Sequence, residues 1–174
     1  MFRQLKAAAL GLSLGLLAAP ANALEVGDQA PDFVLPGSDG QTHSLADYRG
    51  KQAVVLAWFP KAYTSGCTIE CKSLAENGHL IKEFDVTYFM ASVDPLAKNK
   101  SFAADTGADF PLLSDEDKSV AKAYDVLNFM GVAKRETFYI GKDGRILKID
   151  TQITPATSAE DMARTLGELD IERR

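Results

Sequence analysis

The sequence predicts an α/β domain: a mixed central sheet flanked by helices, with a hairpin extension at its N-terminal side. Three observations carry this. Ala53 to Phe59 and Val86 to Val93 are near-continuous apolar runs of strand length, as expected of strands buried on both faces. Apolar residues at helical spacing follow each run. A further strand pair is predicted around the turn Gly141-Lys142-Asp143-Gly144.

The elements follow in order along the 174 residues. Residues 1–23 are set apart as a secretory leader. Arg3 and Lys6 form a basic start, Ala7 to Ala19 an apolar stretch shorter than a membrane span, and Ala21-Asn22-Ala23 an A-x-A cleavage site. The domain is then 24–174. Val26 to Ser44 holds Pro31, Pro36, Gly37 and Asp39-Gly40 around Phe33-Val34-Leu35, the pattern of a short strand pair covering one sheet edge. After the strand at 53–59, the residues Ile69, Cys71, Leu74, Ala75, Leu80, Ile81 and Phe84 predict one helix over 68–84, weakened at Gly78. The strand at 86–93 ends at Asp94-Pro95, and 98–105 reads as a helix. A short strand is expected at 110–113 and a helix at 117–124. Two strands are expected within 137–149, then a C-terminal helix from about Ser158, whose hydroxyl is the predicted cap.

Composition narrows the function. With Arg3 and Lys6 removed from 19 basic side chains, 17 remain against 24 acidic ones, a formal charge of about −7. That balance disfavours nucleic acid and anionic membrane as partners. His43 and His79 lie in no metal-ligand spacing with the cysteines, and there is no glycine-rich phosphate loop, so neither a metal nor a nucleotide cofactor is expected. The length suits one core without need of disulfides, and two cysteines so close would close a loop too short to constrain the unfolded chain much.

Chemistry concentrates at Trp58-Phe59-Pro60-Lys61-Ala62-Tyr63-Thr64-Ser65-Gly66-Cys67-Thr68-Ile69-Glu70-Cys71, which holds the only tryptophan and both cysteines. Cys67 lies just past a buried strand, behind a Thr-Ser-Gly turn and at a helix start. There, backbone N–H groups and the helix dipole favour a thiolate, the reactive form of cysteine.

Pro60-x-x-x-Thr64-x-x-Cys67 matches the active-site signature of the peroxiredoxins, thiol peroxidases built on the thioredoxin fold. The resemblance extends to Gly27-Asp28-Gln29-Ala30-Pro31-Asp32-Phe33 before the motif and Arg135-Glu136-Thr137-Phe138-Tyr139-Ile140 after it. Phe59-Pro60-Lys61 and Gly66-Cys67-Thr68 look most like the monomeric bacterioferritin-comigratory, or Q-type, branch. The resemblance implies a thioredoxin-like fold, a peroxide substrate and a thioredoxin-like or other thiol reductant as partner. It also implies a monomer or weak dimer, while the leader predicts a place in the periplasm or secretion. Such a reaction needs a sulfur anion and fixed donors around the O–O bond. By resemblance Cys67 is the attacking sulfur. Arg135 supplies donors, Thr64 offers a hydroxyl that can accept and donate, Pro60 shields the sulfur, and the backbone N–H groups of Gly66 and Cys67 contact the peroxide. Read without the resemblance, Thr64 or Ser65 is a helix N-cap and Arg135 a strand-edge charge.

One departure stands out. In much of the Q-type branch that the chain resembles, a resolving cysteine lies five residues after the attacking one, whereas Cys71 lies four after Cys67. Positions i and i+4 of a helix hold their Cβ atoms about 5–6 Å apart, and a disulfide needs about 3.5–4.5 Å. If Cys71 resolves Cys67, the helix must open; otherwise Cys71 is a small buried hydrophobe and the reductant is external. Two other functions compete. A periplasmic thioredoxin-like dithiol oxidoreductase would use Cys-x-x-Cys and a proline where Glu136 stands. A non-catalytic redox-sensing module would keep the fold and present Cys67 as a reporter thiol.

Overall fold

A computed structural model describes residues 23–174, so the leader predicted at 1–23 lies, but for Ala23, outside the described residues. The hairpin is β1 (Val34–Pro36) and β2 (Thr42–Ser44), paired antiparallel. Then come β3 (Ala53–Trp58), the helices α1 (Ser65–Asn77) and α2 (His79–Lys82), β4 (Val86–Ser92), α3 (Leu96–Thr106), β5 (Leu112–Ser114) and α4 (Ser119–Ala123). The chain finishes with β6 (Glu136–Ile140), β7 (Ile146–Asp150) and α5 (Ser158–Glu168). The five-stranded sheet has the order β5-β4-β3-β6-β7. β3 and β4 run parallel, as do β4 and β5, while β6 is antiparallel to both its neighbours.

Every residue of β3 is buried because both faces of the sheet are covered. Side chains alternate across a strand. Ala53, Val55 and Ala57 therefore pack on one face with Cys71 and Leu74 of α1, Phe102 of α3 and Met162 of α5. Val54, Leu56 and Trp58 pack on the other with Phe33, Leu35 and Leu45 from the hairpin region and Val120 and Tyr124 from the α4 segment. The hairpin covers the β5 edge as expected: Ser38 N donates to Leu112 O at 2.9 Å, and Leu112 N donates to the Ser38 hydroxyl at 3.0 Å. An edge held this way offers no free ladder for another chain.

Three expectations shift. The helix after β3 starts at Ser65, not Thr68, so Cys67 lies inside its first turn. The single helix expected over 68–84 is two, α1 and α2, joined at Gly78 in right-handed helical conformation. A Cβ at position 78 would lie 2.4 Å from Tyr88 Oη and 2.5 Å from Leu74 O, so only glycine lets β4 approach here. Tyr88 is buried with no hydrogen-bond partner for its hydroxyl among the described residues, and burial pushes its pKa up. At the C-terminal helix, Ser158 is the first helical residue and is buried rather than capping. Thr157 holds the cap position, its hydroxyl donating to Asp161 at 2.7 Å.

Gly78→Ala forces its methyl against a backbone carbonyl and a buried phenol. It should lower the stability of the folded protein by about 1–3 kcal/mol in urea unfolding monitored by far-UV circular dichroism. Unchanged stability would show that the α1–α2 junction tolerates a Cβ.

Candidate active site

The site lies at the carboxyl ends of the adjacent parallel strands β3 and β4, where loops leave an open α/β sheet and a crevice can form. The loop 59–64 leaves β3 alongside β4, with Phe59 N donating to Ala91 O at 2.9 Å. It closes on itself through the Thr64 hydroxyl, which donates to Lys61 O at 2.9 Å. Between them Tyr63 adopts φ +69°, a left-handed conformation a tyrosine seldom takes. Thr64 then occupies the N-cap position of α1 without a side-chain cap bond, and the first helical hydrogen bond runs from Thr68 N to Thr64 O. The amides of Ser65, Gly66 and Cys67 thus belong to the first turn, whose N–H groups have no partner within the helix.

Cys67 is fully buried as the third residue of α1. Arg135, just ahead of β6, places Nη2 3.1 Å from Cys67 Sγ. Its Nη1 donates to Oε2 of Glu70, itself fully buried one turn along the same helix face. Among the described residues the second oxygen of Glu70 has no partner, and the arginine alone compensates the burial of this carboxylate. Gly66 makes room for the fork: a Cβ there would meet Arg135 Nη2 at 3.2 Å. The result is a permanent positive charge anchored from below by Glu70 and presented to a sulfur atom at a helix N-terminus. That is the environment a thiolate requires, and it leaves rigid N–H donors beside the sulfur.

Cys71 faces elsewhere. It is fully buried against α3, with its sulfur 3.2 Å from the Thr106 hydroxyl, which itself donates to Phe102 O at 2.6 Å. Burial pushes its thiol up to about 11, only partly offset by the Thr106 hydrogen bond. Both cysteines are free thiols in an unbroken α1.

The structure therefore brings Cys67, Arg135 and the Gly66 backbone together and sets Thr64 at the mouth of the same turn. Pro60 is half-buried at the head of the loop. Trp58 and Phe59 belong to the core, as expected. Two residues of the site escaped the sequence reading. Glu70 sits three positions after Cys67 on a stripe shared with Cys71 and Leu74, so an acid on an apolar helix face was the available signal. Asp94, read only as a strand end, accepts the Ala62 N–H at 2.8 Å.

The comparisons agree with this geometry. The AhpC/TSA family model matches residues 26–149. Peroxiredoxin Bcp of Bacillus subtilis is 32% identical over 154 residues, 84% of this chain and 97% of its own. Peroxiredoxin Bcp of Escherichia coli is 38% identical over 132 residues, 72% of this chain and 84% of its own. The crystal structure of a Xylella fastidiosa PrxQ mutant superposes with a TM-score of 0.77 at 27% identity, covering 85% of this chain and 98% of that one. The fold is the thioredoxin-like one of these proteins.

Because Cys71 is buried as a neutral thiol, the unfolded chain loses this proton first as pH rises. The stability gained from burying it is complete below about pH 9 and lost toward pH 11. The stability advantage of the wild type over Cys71→Ala should fall by about 2 kcal/mol between about pH 8 and pH 10.5 in urea unfolding. A constant difference would mean that Cys71 is solvated.

Proposed function

The chain belongs to the AhpC/TSA family as a peroxiredoxin of the bacterioferritin-comigratory, Q-type branch, and from that premise we propose that Cys67 is the sulfur through which this thiol-dependent peroxidase reduces hydrogen peroxide or organic hydroperoxides. The observation that carries the assignment is the 3.1 Å approach of Arg135 Nη2 to Cys67 Sγ. The thiolate attacks the terminal oxygen of the peroxide in line with the O–O bond. An S–O bond forms and the O–O bond breaks. The second oxygen leaves as hydroxide or alkoxide and takes a proton to become water or alcohol. Charge passes from sulfur to the leaving oxygen, so donors already aimed at this point stabilise the transition state without reorganising. Arg135 and the first-turn amides of Gly66 and Cys67 are those donors. The Thr64 hydroxyl gives its proton to Lys61 O and keeps lone pairs for the peroxide O–H. Pro60 holds the loop over the sulfur with its fixed φ.

The Cys67 sulfenic acid is then resolved by Cys71: the two sulfurs join, water leaves, and a thioredoxin-like or other external thiol reduces the disulfide with two electrons. In the intact helix Cys71 is too far away and held neutral by burial. Opening the first turns of α1 removes both obstacles, since it brings the backbones together and exposes the thiol to water, where it ionises more readily. The Cys71–Thr106 hydrogen bond and the depth of Cys71 favour a second reading, in which the external thiol attacks the sulfenic acid directly. In either reading the leader exports residues 24–174, to the periplasm or out of the cell, a reading supported by its basic start, apolar stretch and A-x-A site.

The mature protein with dithiothreitol should consume peroxide, and Cys67→Ser should fall to the uncatalysed rate; equal consumption by the two would overturn the assignment of Cys67. Mass spectrometry after one equivalent of peroxide should find a Cys67–Cys71 crosslink. Sulfenic acid at Cys67 with no crosslink selects the second reading.

A further inference from the structure

We propose that Asp94 is a positioning residue for peroxide reduction, the clamp that sets the loop carrying Pro60 and Thr64 over Cys67. The inference rests on the peroxidase reading above. Asp94 follows β4 and is nearly buried, and each of its oxygens is engaged. Oδ2 accepts the Ala62 N–H at 2.8 Å and the Ser92 hydroxyl at 3.2 Å, while Oδ1 accepts Lys98 Nζ at 2.7 Å. Ser92 is in turn held by Asn99, whose side-chain amide also donates to Leu113 O and the Ser114 hydroxyl. The carboxylate is therefore fixed by a buried network tying β4, α3 and β5 together. Its outward contact is with the backbone of the catalytic loop.

That contact falls where the loop needs it. Ala62 is buried, so its N–H has no water to turn to if Asp94 is lost. The next residue, Tyr63, stands at φ +69°, a conformation that persists only when its surroundings impose it. Two contacts to α3 assist: the Tyr63 hydroxyl donates to Asp105 at 2.8 Å, and its ring packs on Phe102 at 5.1 Å between centroids. Thr64 follows at once as the N-cap of α1. The position of its hydroxyl, at the start of the helix that carries Cys67, is thus set by the turn that Asp94 and Tyr63 hold. Arg135 approaches from just ahead of β6 and Glu70 from α1, and among the described residues their hydrogen bonds run to each other and to Cys67 rather than to this clamp.

The test compares Asp94→Ala with Asp94→Asn. Both remove one negative charge, but only asparagine keeps an oxygen for the Ala62 N–H. Asp94→Ala should lower kcat/KM for hydrogen peroxide by roughly tenfold to a hundredfold, since a displacement of about 1 Å in a positioned group costs this much. Asp94→Asn should stay within about threefold of wild type. Both variants should share one pH profile, because the Arg135–Cys67 contact is untouched. Equal losses in the two variants would overturn the proposal, as would an Asp94→Ala rate within twofold of wild type. Should Asp94→Ala fail to fold, amide hydrogen exchange decides on Asp94→Asn. Retained rate with retained protection of the Ala62 N–H supports the clamp, and a lost rate with protection intact refutes it. Peroxide turnover by the wild type itself separates failure of the clamp from failure of the peroxidase reading.

Discussion

The guanidinium of Arg135, held between the buried carboxylate of Glu70 and the sulfur of Cys67, is the interaction on which the rest of the site depends. A lone carboxylate inside a protein is costly, and Glu70 is tolerated because the arginine neutralises it. A flexible cation would compensate that charge but would not fix a direction. The planar fork does both: one nitrogen is committed to Glu70, which aims the other at the sulfur. Gly66 completes the arrangement by leaving room for the guanidinium against the helix backbone.

The fold delivers these groups from three places in the chain. Cys67 and Glu70 share one face of α1, Arg135 comes from the approach to β6, and the covering loop leaves β3. They converge because β6 pairs with β3, with Glu136 opposite Trp58, so the residue before Glu136 arrives beside the start of α1. The apolar filling of both sheet faces keeps that register, since a one-residue slip of β3 would turn Trp58 and Leu56 toward the wrong layer. Core packing is thereby coupled to a contact of about 3 Å at the sulfur.

Much of this was legible in the sequence. The buried strands at 53–58 and 86–92, the hairpin on the sheet edge and the turn at 141–144 all follow from local pattern, whereas Gly78 marked a weak point in the expected helix without showing that it divides there. Cys67 and Arg135 followed from motif. What escaped depended on distant partners. Glu70 resembles an ordinary helix acid until Arg135 folds beside it, and Asp94 resembles a turn residue until Ala62 meets it. The cap of α5 moved one residue because Ser158 is drawn into the core. Capping preference is local, and burial overrode it. Cys71 is the instructive case: spacing alone showed that the intact helix cannot form the disulfide, while its hydrogen bond to Thr106 and its suppressed ionisation emerge only from the packing of α1 on α3.

On the peroxidase reading, a guanidinium fork, and not merely a positive charge, drives the attack of Cys67. Stopped-flow measurement of the second-order rate of the reduced protein with hydrogen peroxide, for wild type and Arg135→Lys, tests it most directly. Lysine keeps the charge but not the two directed donors, so the rate should fall by on the order of a hundredfold. A lysine variant within about threefold of wild type would show that charge alone suffices and that the fork is not what drives the attack.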